Sequence, residues 1–226
     1  MEKINKPQVA IVDYEMGNLF SVMRACQHVG LKPVITDDSL VIMNSDAVIL
    51  PGVGAFGNAM DNLKKRELIT PLYKFIETGK PFMGICLGMQ LLFSESEEFG
   101  SHKGLDIIRG AVIKFPTVNC NGEKLKVPHI GWNKIYRPPF LKEDCWDQSL
   151  LKGINNGEFM YFVHSFLVVP ADAETVLSFT NYENIEYCSG ILWRNVCAFQ
   201  FHPERSGKNG LSIYNNLKAM IYGGTA

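Results

Sequence analysis

The sequence predicts an α/β fold, an open, mixed, mostly parallel sheet flanked by helices, and two observations predict it. Through the first half, apolar β-type runs alternate with helical patterns, the signature of βαβ units. From Leu105 onward short β-type runs dominate, which adds antiparallel strands late in the chain. At roughly 150 residues per domain, 226 residues make a single domain spanning 1–226.

Gln8 to Val12 reads as the first strand. Asn18 can cap the stretch Leu19 to Val29, where Leu19, Val22, Met23, Cys26 and Val29 recur at helical spacing, and Gly30 can end it. The cycle repeats with strands at Lys32 to Thr36 and Asp46 to Leu50, helices at Asn58 to Leu68 and Pro71 to Glu77, and a buried strand at Pro81 to Ile85. An amphipathic run, Leu87 to Phe93, follows. The later strands are Ala111 to Phe115, Lys134 to Tyr136, Phe159 to Val169, Thr175 to Thr180, Tyr187 to Leu192 and Val196 to Phe201, before a last helix from Gly210 to Ile221. Arg137 to Gly157, rich in Pro, Gly, Asn and charge, reads as a loop-like insertion.

Composition excludes several function classes. With 22 Lys+Arg against 23 Asp+Glu there is no electrostatic footprint for nucleic acid or an anionic membrane. No apolar run approaches the roughly 20 residues of a membrane span. The opening MEKINKPQVA lacks the apolar core of a secretory signal, which predicts a cytoplasmic protein. Six scattered cysteines form no C-x-x-C pair, so neither a disulfide framework nor a zinc site is expected, and no cofactor is implied.

One cysteine stands apart. Gly84-Ile85-Cys86-Leu87-Gly88 lies between a buried strand and a helical run, as the thiol version of a nucleophile elbow. The tight turn lifts the nucleophile above the sheet, and its place at a helix start favours a thiolate. The N–H of Leu87 can donate to an oxyanion. Taken alone, the motif favours reading Cys86 as one more core cysteine.

A nucleophilic thiol needs a base, and there are five histidines. His28 and His102 read as surface residues; His129 and His164, in or beside β-type runs, are either packed or functional. His202 is the strongest candidate, because it ends an apolar strand and Glu204 follows two residues on. In extended backbone such residues share a face, so Glu204 can orient the imidazole as the third member of a Cys-His-acid triad. Gly52 to Gly57 matches G-x-G-x-x-G, the dinucleotide fingerprint, but the next strand runs into the cysteine elbow instead of ending in an acidic residue. A glycine loop there is better used to offer backbone N–H groups to substrate and oxyanion.

In this order, the segments resemble the class I (triad) glutamine amidotransferases along nearly the whole chain, which implies a flavodoxin-like architecture. The motifs that carry the resemblance are Asp13-Tyr14-Glu15-Met16-Gly17-Asn18, Leu50 to Gly57, Gly84 to Phe93, Pro128 to Asn133, Tyr161 to Phe166 and Gln200 to Gly207. Within the family they are most similar to the glutaminase subunits that serve a histidine-pathway synthase. The resemblance implies Cys86 as nucleophile, His202 as acid and base, Glu204 as its orienter, and an oxyanion site at Leu87, Val53 and Gly54. It implies glutamine held at Gly52, Gly54, Leu87, Gln90, Ser165 and Phe166. It also implies ammonia passed to a (β/α)8-barrel cyclase subunit, in a heterodimer whose interface includes Asn18, Trp132, Asn133, Tyr161 and Arg205. Related glutaminases that serve N-acetyl-sugar amidotransferases share the motifs, and the intact triad argues against a catalytically silent regulatory module. Four departures from the pattern stand out: Glu15 replaces a glycine, Arg205 a lysine and Phe166 a tyrosine, and Arg137 to Ser149 is longer than usual.

Overall fold

The computed structural model describes residues 6–223 apart from 119, 120, 141 and 143, so Cys120 lies outside it. The elements in chain order are β1 (Gln8–Val12), α1 (Leu19–His28), β2 (Lys32–Thr36), α2 (Ser39–Asn44), β3 (Ala47–Gly52), α3 (Phe56–Lys65), α4 (Ile69–Glu77), β4 (Phe82–Cys86) and α5 (Leu87–Gln90). They continue with β5 (Phe93–Ser96), β6 (His102–Lys103), β7 (Ile108–Lys114), β8 (His129–Lys134), β9 (Phe159–His164), β10 (Phe166–Pro170), β11 (Val176–Tyr182), β12 (Ile185–Trp193), β13 (Val196–Phe199) and α6 (Gly207–Ile221).

An 11-stranded sheet runs β2-β1-β3-β4-β13-β12-β10-β7-β5-β6, with β11 paired to β12; β8 and β9 form a separate hairpin. From β2 to β13 every pairing is parallel. Both faces of β1, β3, β4 and β13 are covered, so these strands are apolar almost throughout, whereas β2 is the exposed edge. Val9, Ile11, Ile49 and Ile85 pack with Val22 and Cys26 of α1 and Ile213 and Leu217 of α6. Ala10, Val12, Val48 and Leu50 pack on the other side with Phe56, Ala59, Leu63 and Leu72 of α3 and α4. Beyond β13 the sheet turns antiparallel through β12, β10 and β7, the late addition that the sequence predicted.

Several boundaries differ from those expected, each for a physical reason. The apolar run Phe159 to Val169 is two strands, because the chain leaves the hairpin with β8 at Ser165 and enters the main sheet beside β7. The run Leu87 to Phe93 is helical for one turn only, since Phe93 pairs with Ile108 of β7. The strand expected at Lys134 to Tyr136 lies earlier, at β8, and Tyr136 keeps only an isolated bridge to Phe179. Helix α2 went unread; Asp38 caps it, its carboxylate accepting the Leu40 N–H at 2.7 Å. The insertion Arg137 to Gly157 has a loop-like backbone but serves as core. Trp146, Leu150, Leu151 and Ile154 are buried, and the Trp146 indole donates to the Leu177 carbonyl at 2.7 Å. No helix among the described residues is long and apolar enough to cross a membrane.

Candidate active site

Strand register sets the site. Gly52 of β3 lies opposite Cys86 of β4, and Phe199 of β13 lies opposite Ile85, so the three parallel strands end at one level. Side chains leaving those ends converge at the carboxyl edge of the sheet, where ligands bind in open α/β folds.

At the elbow, Cys86 has φ 54° and ψ −109°, a conformation that costs a non-glycine residue of order 1–3 kcal/mol. The turn is tight enough to demand glycine on both sides. A Cβ at Gly88 would stand 1.8 Å from the Leu50 carbonyl oxygen, and one at Gly84 would stand 2.8 Å from the Ala198 Cβ. The helix behind Cys86 is a single turn, so its dipole does less for a thiolate than the sequence suggested. A cation stands nearby.

That cation is His202. Its Nδ1 lies 2.7 Å from Glu204 Oε1, with both side chains almost wholly buried. The pairing does not come from strand alternation, as expected, because β13 ends at Phe199 and Glu204 sits in the single 3-10 turn Pro203–Arg205. Nε2 is buried with no partner in strict hydrogen-bond geometry, yet Cys86 is close enough for a negative charge on its sulfur to favour the imidazolium. Burial works to lower the His202 pKa, but the charges of Cys86 and Glu204 outweigh it and push it up to about 10. The backbone of His202 is fixed as well: its N–H donates to the Tyr161 carbonyl at 2.9 Å, and Ser206 Oγ donates to its carbonyl at 2.7 Å.

A cleft of about 280 Å³ opens beside Cys86, lined by Val53, Gly54, Leu87, Gln90, Ser165 and Phe166 among others. Gly52 is buried just behind it, where a Cβ would stand 2.2 Å from the Tyr14 hydroxyl, and that hydroxyl donates to the Pro51 carbonyl at 2.6 Å. Gln90 Nε2 donates to the Phe166 carbonyl at 3.2 Å and to Gln200 Oε1 at 3.0 Å, so both its hydrogens are committed and only Oε1 is left for a ligand. Two further residues stand at the site: Gln200, inside the Gln200 to Gly207 motif, and Glu98, which has no local signal in the sequence. Glu98 lines the cleft and accepts the Phe56 N–H at 2.6 Å, capping α3 in place of Ala55.

His129 and His164 are packed residues. They meet at 3.2 Å, each lies 3.1 Å from the Tyr187 hydroxyl, and His164 Nδ1 donates a hydrogen bond to the Phe166 carbonyl at 2.9 Å. Burial lowers their pKa values to about 4 and about 3. Folded values below the unfolded one make the stability they contribute present above about pH 6.5 and lost as the pH falls toward their folded values. We therefore expect urea midpoints to fall from pH 7 to pH 5, with a shallower slope in His129→Gln. Equal slopes would refute it.

The residues expected at an interface divide. Trp132 is 54% exposed, its ring meets that of Tyr161 edge-on at 6.1 Å, and the Arg205 guanidinium lies 4.4 Å above Tyr161. Exposed Asn18 caps α1, which shares a surface groove with Glu204 and Gly207 through Phe20 and Arg24. Asn133 turns inward, donating to the Asn181 carbonyl at 2.9 Å. Glu15, in the glycine position, does adopt a positive φ of 66° and pairs with Arg66.

Comparison with known proteins agrees with this geometry. Residues 10–218 match the family model described as glutamine amidotransferase class-I. The imidazole glycerol phosphate synthase subunit HisH of Syntrophotalea carbinolica is 46% identical over 215 residues, 94% of this chain and 100% of the relative. Its counterpart in Aquifex aeolicus is 46% identical over 212 residues, 93% of this chain and 96% of the relative. A structure of PurLQS from Thermotoga maritima shares the fold, with a TM-score of 0.68, 21% identity and coverage of 94% of this chain and 97% of that one. The chain belongs to the class-I glutamine amidotransferases and, within them, to the HisH subunits of imidazole glycerol phosphate synthase.

Proposed function

We propose that Cys86, His202 and Glu204 hydrolyse glutamine, and that the ammonia passes to a (β/α)8-barrel cyclase subunit in histidine biosynthesis. The observation that carries this is the buried 2.7 Å His202–Glu204 pair beside a cysteine held in a strained elbow. The Cys86 sulfur attacks the side-chain amide carbon, and the negative charge that develops on the amide oxygen is met by backbone N–H groups at Leu87 and the Val53–Gly54 loop. His202 gives its proton to the departing ammonia. It then takes a proton from the water that cleaves the γ-glutamyl thioester, and glutamate leaves. Gly52, Gly54, Leu87, Ser165 and Phe166 frame the glutamine, Gln90 Oε1 accepts from it, and the Glu98 carboxylate is a counter-charge for its α-ammonium.

The patch of Trp132, Tyr161 and Arg205 is the proposed cyclase face, with Asn18 at its edge and Asn133 behind it. The names of the relatives favour the histidine pathway over sugar amidation, and the assembled triad speaks against a silent module. The whole chain acts as one amidotransferase domain. Five free cysteines among the described residues support a reducing, cytoplasmic setting.

The test is glutamate release by the chain alone and mixed with the barrel cyclase of the same source. Turnover should rise at least about tenfold on mixing, and Trp132→Ala should weaken the complex by about tenfold or more in calorimetry, as loss of an aromatic anchor does. Equal turnover with and without the cyclase would overturn the coupling.

A further inference from the structure

We propose that Gln200 is a further catalytic residue: its side-chain N–H donates to the Cys86 sulfur and holds it as the thiolate. The inference rests on Cys86 being the nucleophile. Gln200 follows β13, completely buried, and its Nε2 lies 3.6 Å from Cys86 Sγ.

The direction of this bond is fixed by its neighbours. The Phe166 carbonyl can only accept, so the Gln90 amide must turn its nitrogen there, at 3.2 Å. The same nitrogen faces Gln200 at 3.0 Å, so the Gln200 atom it meets must be the oxygen. The Gln200 nitrogen is thereby turned to the sulfur. A flipped amide would set nitrogen against nitrogen and oxygen against a thiolate.

The sulfur thus has a different partner for each charge state. As a thiol it can point its hydrogen to the Val163 carbonyl, 3.9 Å away, a long contact. As a thiolate it accepts from Gln200, and a hydrogen bond to the charged form favours that form. The proton lost goes to His202. The other titratable groups around the sulfur are Tyr14 after β1, whose phenol interacts with the Cys86 charge, Glu204 behind His202, His164 at the end of β9 and Glu98 at the cleft. None of these supplies a neutral donor fixed on the sulfur.

The test is the pH profile of Cys86 alkylation by iodoacetamide on the isolated chain, with Cys86→Ala as the background for the other cysteines. Q200L should move the midpoint up by about one pH unit, a tenfold loss of thiolate near neutrality. Q200E keeps an oxygen for Gln90 but sets a second one against the sulfur, so its midpoint should rise further while KM for glutamine stays within about threefold of wild type as kcat falls. A merely structural role would lower the melting temperature and leave the midpoint where it was. In the wild type, the Gln200 side-chain amide resonances should titrate with Cys86 and stop doing so in Cys86→Ala, a reading that needs no Gln200 variant to fold. Unmoved midpoints in folded variants, or amide resonances blind to Cys86 ionisation, overturn the proposal. Normal glutamate release with an unmoved midpoint refutes Gln200 alone. A shifted midpoint in the variants, with a wild-type chain that releases no glutamate even when mixed with the cyclase, refutes the glutaminase reading and leaves the Gln200–Cys86 contact standing.

Discussion

Cys86→Ala should lower glutamine hydrolysis by at least about 10³-fold, the scale of losing a covalent nucleophile whose partners cannot act without it. No other described cysteine can substitute. Cys26, Cys188 and Cys197 are buried, with pKa values pushed up to about 12 by burial, the half-buried Cys145 is raised as well, and none of the four lines the cleft. The variant should fold, because the substitution leaves the elbow glycines and the His202–Glu204 pair untouched. A second readout belongs to the same change. The His202 pKa is raised in the folded chain, so the stability this group contributes is full below about pH 6.5 and lost as the pH rises through about 10. Without the Cys86 charge that alkaline loss should be smaller and complete at lower pH, measurable by urea denaturation or by the imidazole resonances. Residual turnover above about one per cent of wild type would remove Cys86 from the mechanism.

The second large effect concerns the fold that holds the nucleophile. Gly88→Ala would drive a methyl to 1.8 Å from the Leu50 oxygen and 2.8 Å from its carbon, atoms of a central strand that cannot swing away. The expected cost is about 3 kcal/mol or more, the upper end of overpacking in a close-packed core. Gly153→Ala is the control. Its φ of +73° strains any side chain, but a Cβ there meets nothing within 4 Å, so the cost should be about 1 kcal/mol. Urea midpoints compare the two, and a Gly88→Ala protein within about 1 kcal/mol of wild type would show that the elbow can relax.

Much of this was legible along the chain. Strands β1 and β2 fall where the β-type runs place them; β1, buried from Val9 to Val12, cannot tolerate polar interruptions, while β2 is the exposed edge that closes the same βαβ unit. The glycines of the elbow and the adjacent H-P-E reveal themselves because local backbone geometry restricts what can stand there. Less legible were the features set by pairing partners. Whether Phe159 to Val169 is one strand or two depends on β7 and β8, which lie far away in sequence, and the run is equally apolar either way. Glu98 reaches the cleft by capping a helix more than forty positions away, and no spacing rule anticipates it.

The sequence by itself determined the class of fold and pointed to the proposed nucleophile and the histidine with its carboxylate, because each is written in contiguous residues whose conformations are local. Only the tertiary structure decided how they act. The common level at which β3, β4 and β13 end brings Gly52, Cys86 and His202 together. A 3-10 turn, not a strand, aims Glu204 at the imidazole. The direction of the Gln90 and Gln200 amides was decided there too, since an amide takes its orientation from whichever partner can only accept, and here that partner is the Phe166 carbonyl on another strand.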